Sequence, residues 1–227
     1  MKKLKQSDFI DKILESSERV KAYSKPVFGV GINDVNFRIG GNFNGRKINH
    51  RAYSAWMGIF ERCYSEKKLK SRPTYNGCFV GEEWIFFSNF FRWWKNSHVD
   101  GWHIDKDLLL PGNKEYCAER CVYIPAWLNT FSNEHAATKG EYPIGVTYEK
   151  ESRKFKAKIC HMGEHINLGR YSNPIDAHNA WFIEKIRIAK SYKDVCDSIH
   201  QNLYHGLIAK IQSMHIPVDV DLCGVYS

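Results

Sequence analysis

The chain has 227 residues, of which 43% are hydrophobic, 26% charged and 14% aromatic, a composition that excludes a disordered chain and provides for one large core or two small ones. No apolar run approaches the roughly 20 residues of a membrane helix, so no membrane association is expected. The net charge is +8 and the pI near 9.0, with nine Lys/Arg against two acidic residues from Arg38 to Arg72. Such a basic, aromatic-rich chain has nucleic acid as its leading candidate partner.

The start, MKKLKQSDFIDKILESSERV, has a basic tip but no apolar core or small-residue cleavage site, and is read as lacking a signal peptide. Residues 7–22 predict an amphipathic helix, capped by Ser7 or Asp8 and apolar at Phe9, Ile10, Ile13, Leu14 and Val20. The Gly- and Asn-rich stretch VFGVGINDVNFRIGGNFNGRKIN predicts short strands and turns. Residues 51–64 return to helical spacing through Tyr53, Trp56, Ile59, Phe60 and Cys63. EEWIFFSNFFRWW does the same through Trp84, Phe87, Phe90, Phe91 and Trp94, and is read as a hydrophobic brace behind the segment 101–129.

After Asn129 a polar stretch, 131–141, marks the expected domain boundary. Three short strands follow in YPIGVTYEK, KFKAKICH and HINLGRY, then a helix in PIDAHNAWFIEKIRIAKSY, a further helix over 194–214 and an extended tail from Pro217. The seven cysteines, at 63, 78, 117, 121, 160, 196 and 223, are odd in number and scattered, which points to reduced thiols in a cytosol. Cys117 and Cys121 are four apart and no C-x-x-C pair supports a zinc site, so structural zinc is not expected.

In RKFKAKIC, Phe155, Ala157 and Ile159 alternate with Lys154, Lys156 and Lys158. On a strand this sends one set toward a core and leaves the other as a cationic row suited to phosphates and base edges. The surrounding stretch, with Gly145-Val146, Phe155, Ala157, Ile159, Leu168-Gly169, Tyr171, Ala177 and Ala180, resembles the APETALA-type (ethylene-response-factor, integrase-type) DNA-binding domain. That resemblance implies a three-stranded antiparallel sheet braced by one helix, with the sheet in the major groove of double-stranded DNA. The DNA-facing candidates are Thr147, Arg153, Lys154, Lys156, Lys158, His161 and Arg170. The first strand carries Thr147 and Glu149 where tight binders of that family carry arginines, which favours backbone contact over base reading.

The succession "GVGIND", "YSAWMGIFERCYS", "PTYNGCFVGEEWIFFSNFFRWW" and "IDKDLLLPGNKEYCAERCVYIP…LN" resembles phage-type HNH (His-Me finger) endonucleases. The resemblance implies a ββα core around one divalent metal, magnesium or manganese. A base takes a proton from water and the metal stabilises the charge at the phosphate. "CVYIPAWLN" matches the end of such motifs, with Cys121 in a Leu place and Asn129 as the metal-side Asn. Two registers fit the front half. In one, His103 is the base and Trp102 stands where an Asp should be. In the other, which has the better loop length, Asp105 is a metal ligand and Lys106 stands in the base position. A hybrid takes His103 as base and Asp105 with Asn129 as metal ligands, Asp107 extending the same face and Asn113 on the turn.

The expected fold class is α+β: an HNH-like ββα core braced by aromatic-rich helices, then a small three-stranded antiparallel sheet plus helix. The expected divisions are an N-terminal helix over 1–27, the core over 28–132, the APETALA-type domain over 140–192, and a C-terminal helix and tail over 193–227. The expected function is that of a phage-type, metal-dependent DNA endonuclease or nickase in a host bacterial cytosol. The alternatives are a catalytically inactive DNA-binding regulator or anti-defence protein on the same scaffold, and an interaction protein that binds a host protein.

Overall fold

A computed structural model describes residues 6–19, 25–133 and 141–216. The fold is mixed α+β, and the chain divides into two compact units. The first takes the described residues up to Asp100 together with Gly112–Cys121; the second takes Gly101–Pro111 and the described residues from Val122 onward.

The first unit opens on helix α1 (Gln6–Glu15), shorter than the predicted 7–22. The hydroxyls of Ser16 and Ser17 both donate to the Ile13 carbonyl, at 3.0 and 2.6 Å, and close the helix by occupying an acceptor that a further turn would need. Strands β1 (Gly40–Phe43) and β2 (Arg46–Asn49) form an antiparallel hairpin on Asn44–Gly45, a dipeptide suited to two-residue turns. Helix α2 (Arg51–Tyr64) has His50 as its cap, the ring Nδ1 accepting from the Ala52 amide, and is followed by α3 (Glu66–Ser71). The short strand β3 (Phe79–Val80) leads to α4 (Glu82–Ile85) and α5 (Phe87–Ser97).

The aromatic stripe is core, as its spacing predicts: Trp56, Phe60, Trp84, Phe87 and Phe90 are all buried. It is not one helix. Phe86 is extended and bridges Ile32: the Ile32 amide donates to the Ile85 carbonyl at 2.8 Å, and the Phe87 amide donates to the Ile32 carbonyl at 2.9 Å. This pairing takes groups that an unbroken helix would use internally.

The second unit contains β4 (Trp102–Asp105), which pairs antiparallel with β6 (Val122–Pro125), and helix α6 (Ala126–Ser132) follows directly. The intervening β5 (Glu115–Tyr116) belongs to the first unit and pairs with β3. Next come β7 (Val146–Glu149), β8 (Lys154–His161) and β9 (Glu164–Tyr171), an antiparallel sheet in sequential order with a bulge at Ala157/Lys158. Helix α7 (Pro174–Ser191) packs on that sheet, with Asn173 capping it and Pro174 in its first turn. The predicted helix over 194–214 is two, α8 (Lys193–Ile199) and α9 (Leu203–Gln212).

One hydrophobic core serves this whole unit. Leu108, Ile124, Leu128 and Phe131 from the ribbon and α6 join Ile159, Trp181, Leu203, Leu207 and Ile211. The expected boundary at 131–141 is therefore not where cores separate; 134–140 lie outside the described residues, as does the tail from Pro217. Two glycines record how close the packing is. A Cβ on Gly145 would sit 2.1 Å from the Trp181 ring, at a φ of +81° that side chains avoid. A Cβ on Gly206, in α9, would sit 1.5 Å from the Leu108 carbonyl oxygen. Among the described residues no helix is long and apolar enough to cross a membrane.

Candidate functional site

The outward face of the β7–β8–β9 sheet follows from strand periodicity. Ala157 and Ile159 are buried toward α7, while Lys154 and Lys158 are exposed and Lys156 half-buried on the other side. Register aligns Thr147, Lys156 and Arg170 in one cross-strand row. Glu149 sits among these cations. Its carboxylate accepts from Arg170 Nε at 2.5 Å, lies 3.4 Å from Lys156 Nζ, and accepts from the Ser152 hydroxyl at 3.2 Å. The Arg170 hydrogen bond, more than any other contact, holds that carboxyl below the usual carboxylate range. Lys154, Lys158 and the turn residue Arg153 have no acidic partner among the described residues.

His161 is placed differently from the expectation. It has the parity of Phe155, Ala157 and Ile159, and its Nδ1 meets the Tyr192 hydroxyl at 3.1 Å with Phe131 at its edge. The ring is part of the helix-side packing and not of the outward cationic row.

The second candidate lies where β4, β6 and α6 meet. His103 is exposed and its Nδ1 lies 3.0 Å from Asn129 Nδ2, so the strand and helix residues singled out from the sequence are in direct contact. Asp105 is only 6% exposed. Its Oδ1 accepts from the amides of Asp107 at 2.8 Å and Leu108 at 2.7 Å, which ties off the strand end in a side-chain turn. Lys106 is 5% exposed and its ammonium donates to Asp107 Oδ1. Both expected roles for that pair, base and metal ligand, compete with this ion pair. Asn113 is in the other unit: its amide donates to the Glu115 carbonyl at 2.7 Å and accepts from the Glu115 amide at 3.1 Å, closing a turn.

Among the described residues no group of three or more His, Cys, Asp or Glu side chains is placed to hold a metal ion. Magnesium commonly relies on one or two carboxylates, completing its shell with water and substrate phosphate. Asp105 Oδ2, which has no hydrogen-bond partner among the described residues, and the Asn129 amide oxygen are the oxygens this corner offers. By donor chemistry both are hard oxygens of the kind magnesium takes, and the Asn129 oxygen already accepts from Asn133 Nδ2 at 2.7 Å.

Two features escape a reading of the sequence. Asp8, Asp11 and Glu15 recur at helical spacing on α1 and converge on α2. Asp11 Oδ2 meets Arg51 Nε at 2.6 Å, Asp8 also binds that guanidinium, and Glu15 meets His50 Nε2 at 3.2 Å and Lys95 at 2.7 Å. The acidic spacing was legible; its partners were not. The other feature is a pair of lysines at the C-terminal end of α6. Lys185, fully buried, donates to the Phe131 carbonyl at 2.7 Å, and Lys210 donates to Asn133 Oδ1 at 2.8 Å. Cations at a helix C-terminus complement its dipole, and nothing local in the sequence marks them.

Comparison with protein-family models, with curated proteins and with solved structures finds no match for this chain.

Proposed function

We propose that this protein binds double-stranded DNA through the outward face of the β7–β8–β9 sheet. The observation that carries the reading is the one-sided face: Lys154, Lys156, Lys158 and Arg170 lie opposite a buried Ala157 and Ile159. Cations spaced along such a ribbon match a phosphate backbone. Because Glu149 engages Lys156 and Arg170, Lys154 and Lys158 carry the larger share of phosphate contact. The test is the salt dependence of duplex binding. Each lost phosphate contact flattens the log–log slope by about 0.9, so Lys154→Ala with Lys158→Ala should flatten it by roughly two units. Glu149→Gln, which releases Arg170 and Lys156, should tighten binding. A double variant with unchanged slope places the DNA surface elsewhere.

A second reading is favoured by the 3.0 Å contact between His103 and Asn129 at the ribbon–helix corner. On this reading the corner cleaves phosphodiester bonds with magnesium or manganese. Asp105 and Asn129 would hold the ion, and His103 would act at the scissile phosphate. The ion would supply charge stabilisation at the phosphate and an activated water. Supercoiled plasmid with either metal should be nicked by the wild type. His103→Ala should lower the rate by roughly 100- to 10,000-fold if the ring transfers a proton, and by less if it only donates a hydrogen bond; DNA affinity should be unchanged in either case. No nicking by the wild type leaves a non-catalytic DNA-binding scaffold.

A further inference from the structure

The contact between His103 and Asn129 is the end of a longer chain of hydrogen bonds with a fixed polarity. It begins at Lys210 on α9. An ammonium only donates, so the Asn133 atom 2.8 Å from Lys210 Nζ is the amide oxygen. The Asn133 nitrogen then faces α6, where it donates to the main-chain carbonyl of Asn129 at 3.0 Å and to the Asn129 side-chain oxygen at 2.7 Å. The main-chain carbonyl by itself requires a nitrogen at that place, independently of Lys210. With its oxygen taken by Asn133, Asn129 turns its NH2 toward His103 Nδ1. That ring nitrogen must present a lone pair, because two N–H groups cannot face each other at 3.0 Å. The proton of the neutral ring is thereby left on Nε2, which has no partner among the described residues.

We propose that Asn133, anchored by Lys210, is a positioning residue that holds His103 as the Nε2–H tautomer through Asn129. On the cleavage reading above, on which this consequence rests, the neutral ring offers a phosphate oxygen a hydrogen-bond donor. It offers attacking water no lone pair. To act as a base at Nε2, the ring would first have to carry its proton on Nδ1, against the Asn129 NH2. A neutral imidazole can assist by donation alone, polarising the oxygen it faces. The same wiring occupies the Asn129 oxygen, so that oxygen reaches a metal only by leaving Asn133.

The test is the long-range 15N–1H pattern of the His103 imidazole in the full chain, recorded without DNA or metal at a pH where the ring is neutral. Wild type should show the proton on Nε2. Asn133→Asp inverts the relay: the carboxylate accepts from Lys210 on one side and from the Asn129 NH2 on the other. The Asn129 oxygen then faces His103, and the proton should move to Nδ1. The main-chain carbonyl of Asn129 keeps the Ser132 hydroxyl as a donor at 3.0 Å. An Nδ1–H or evenly mixed pattern in the wild type overturns the proposal. So does an Asn133→Asp variant that melts cooperatively and keeps the wild-type pattern. Plasmid nicking is read separately: an Nε2–H ring in a protein that does not nick removes the cleavage reading and leaves the Asn133 assignment standing.

Discussion

At the scale of single residues, the chemistry of a side chain is settled by which of its atoms are already engaged. His178 is an instance away from the candidate sites. It is fully buried on α7, its Nδ1–H donating to the Ile144 carbonyl at 2.9 Å while its Nε2 accepts from the Ile216 amide at 3.4 Å. Burial pushes its pKa below the ordinary 6.5, and His215 adds to this. The unfolded chain therefore binds a proton as the pH falls through about 6.5, before the folded protein does. Stability accordingly rises with pH across the window from the folded pKa up to that value and falls on acidification, by at most about 1.4 kcal/mol per pH unit for one proton. Urea midpoints at pH 5.5 and 7.5 should show this loss, and His178→Gln should reduce it. An equal loss in the variant would show that His178 titrates as an ordinary histidine. The same accounting separates the candidates named from sequence. The resemblance to an HNH core picked out His103 and Asn129, and they touch. The two resemblances also put forward Asn113 and His161, but Asn113 closes a turn and His161 packs against Tyr192. For His161 strand parity was the usable signal, since it falls in step with Ala157 and Ile159.

At the scale of elements, periodicity located helices and tertiary hydrogen bonds cut them. The 51–64 helix was legible to its ends because its apolar positions are continuous, and the structure adds His50 as the cap of its start. The aromatic run at 82–97 and the stretch 193–212 each break into two helices. At Phe86 the break goes to a bridge with Ile32, a residue 54 positions away that no local reading can supply. Contacts of this kind can also reverse the sign of a substitution. Gly206→Ala in the interior of α9 should gain about 1 kcal/mol from helix propensity. The added Cβ would meet the Leu108 carbonyl oxygen at 1.5 Å, and overpacking typically costs about 1–3 kcal/mol, with backbone the least able to yield. We expect net destabilisation, seen as a lower urea midpoint with unchanged m-value. A midpoint at or above wild type would mean that the loop after β4 does not rest on α9.

At the scale of the whole chain, sequence by itself determined the α+β class, the aromatic character of the first core and the alternation that gives one sheet face to the core and the other to solvent. These depend on residue type and spacing, and burial of apolar surface enforces them wherever the chain lies. His103 and Asn129 were named through the resemblance to an HNH core, and their contact was decided by the pairing of β4 with β6, the strand that leads directly into α6. Only the tertiary structure decided how the cores divide. The polar stretch near 131–141 reads as a linker, yet Leu108, Ile124, Leu128 and Phe131 share a core with Trp181, Leu207 and Ile211. Hydrophobic attraction is non-directional and carries no address in the sequence. Only the tertiary structure brought Lys210 to Asn133, 77 positions away, and with it the direction of the hydrogen bonds that reach His103. A donor-only cation imposes that direction through space, on groups whose order in the chain does not reveal it.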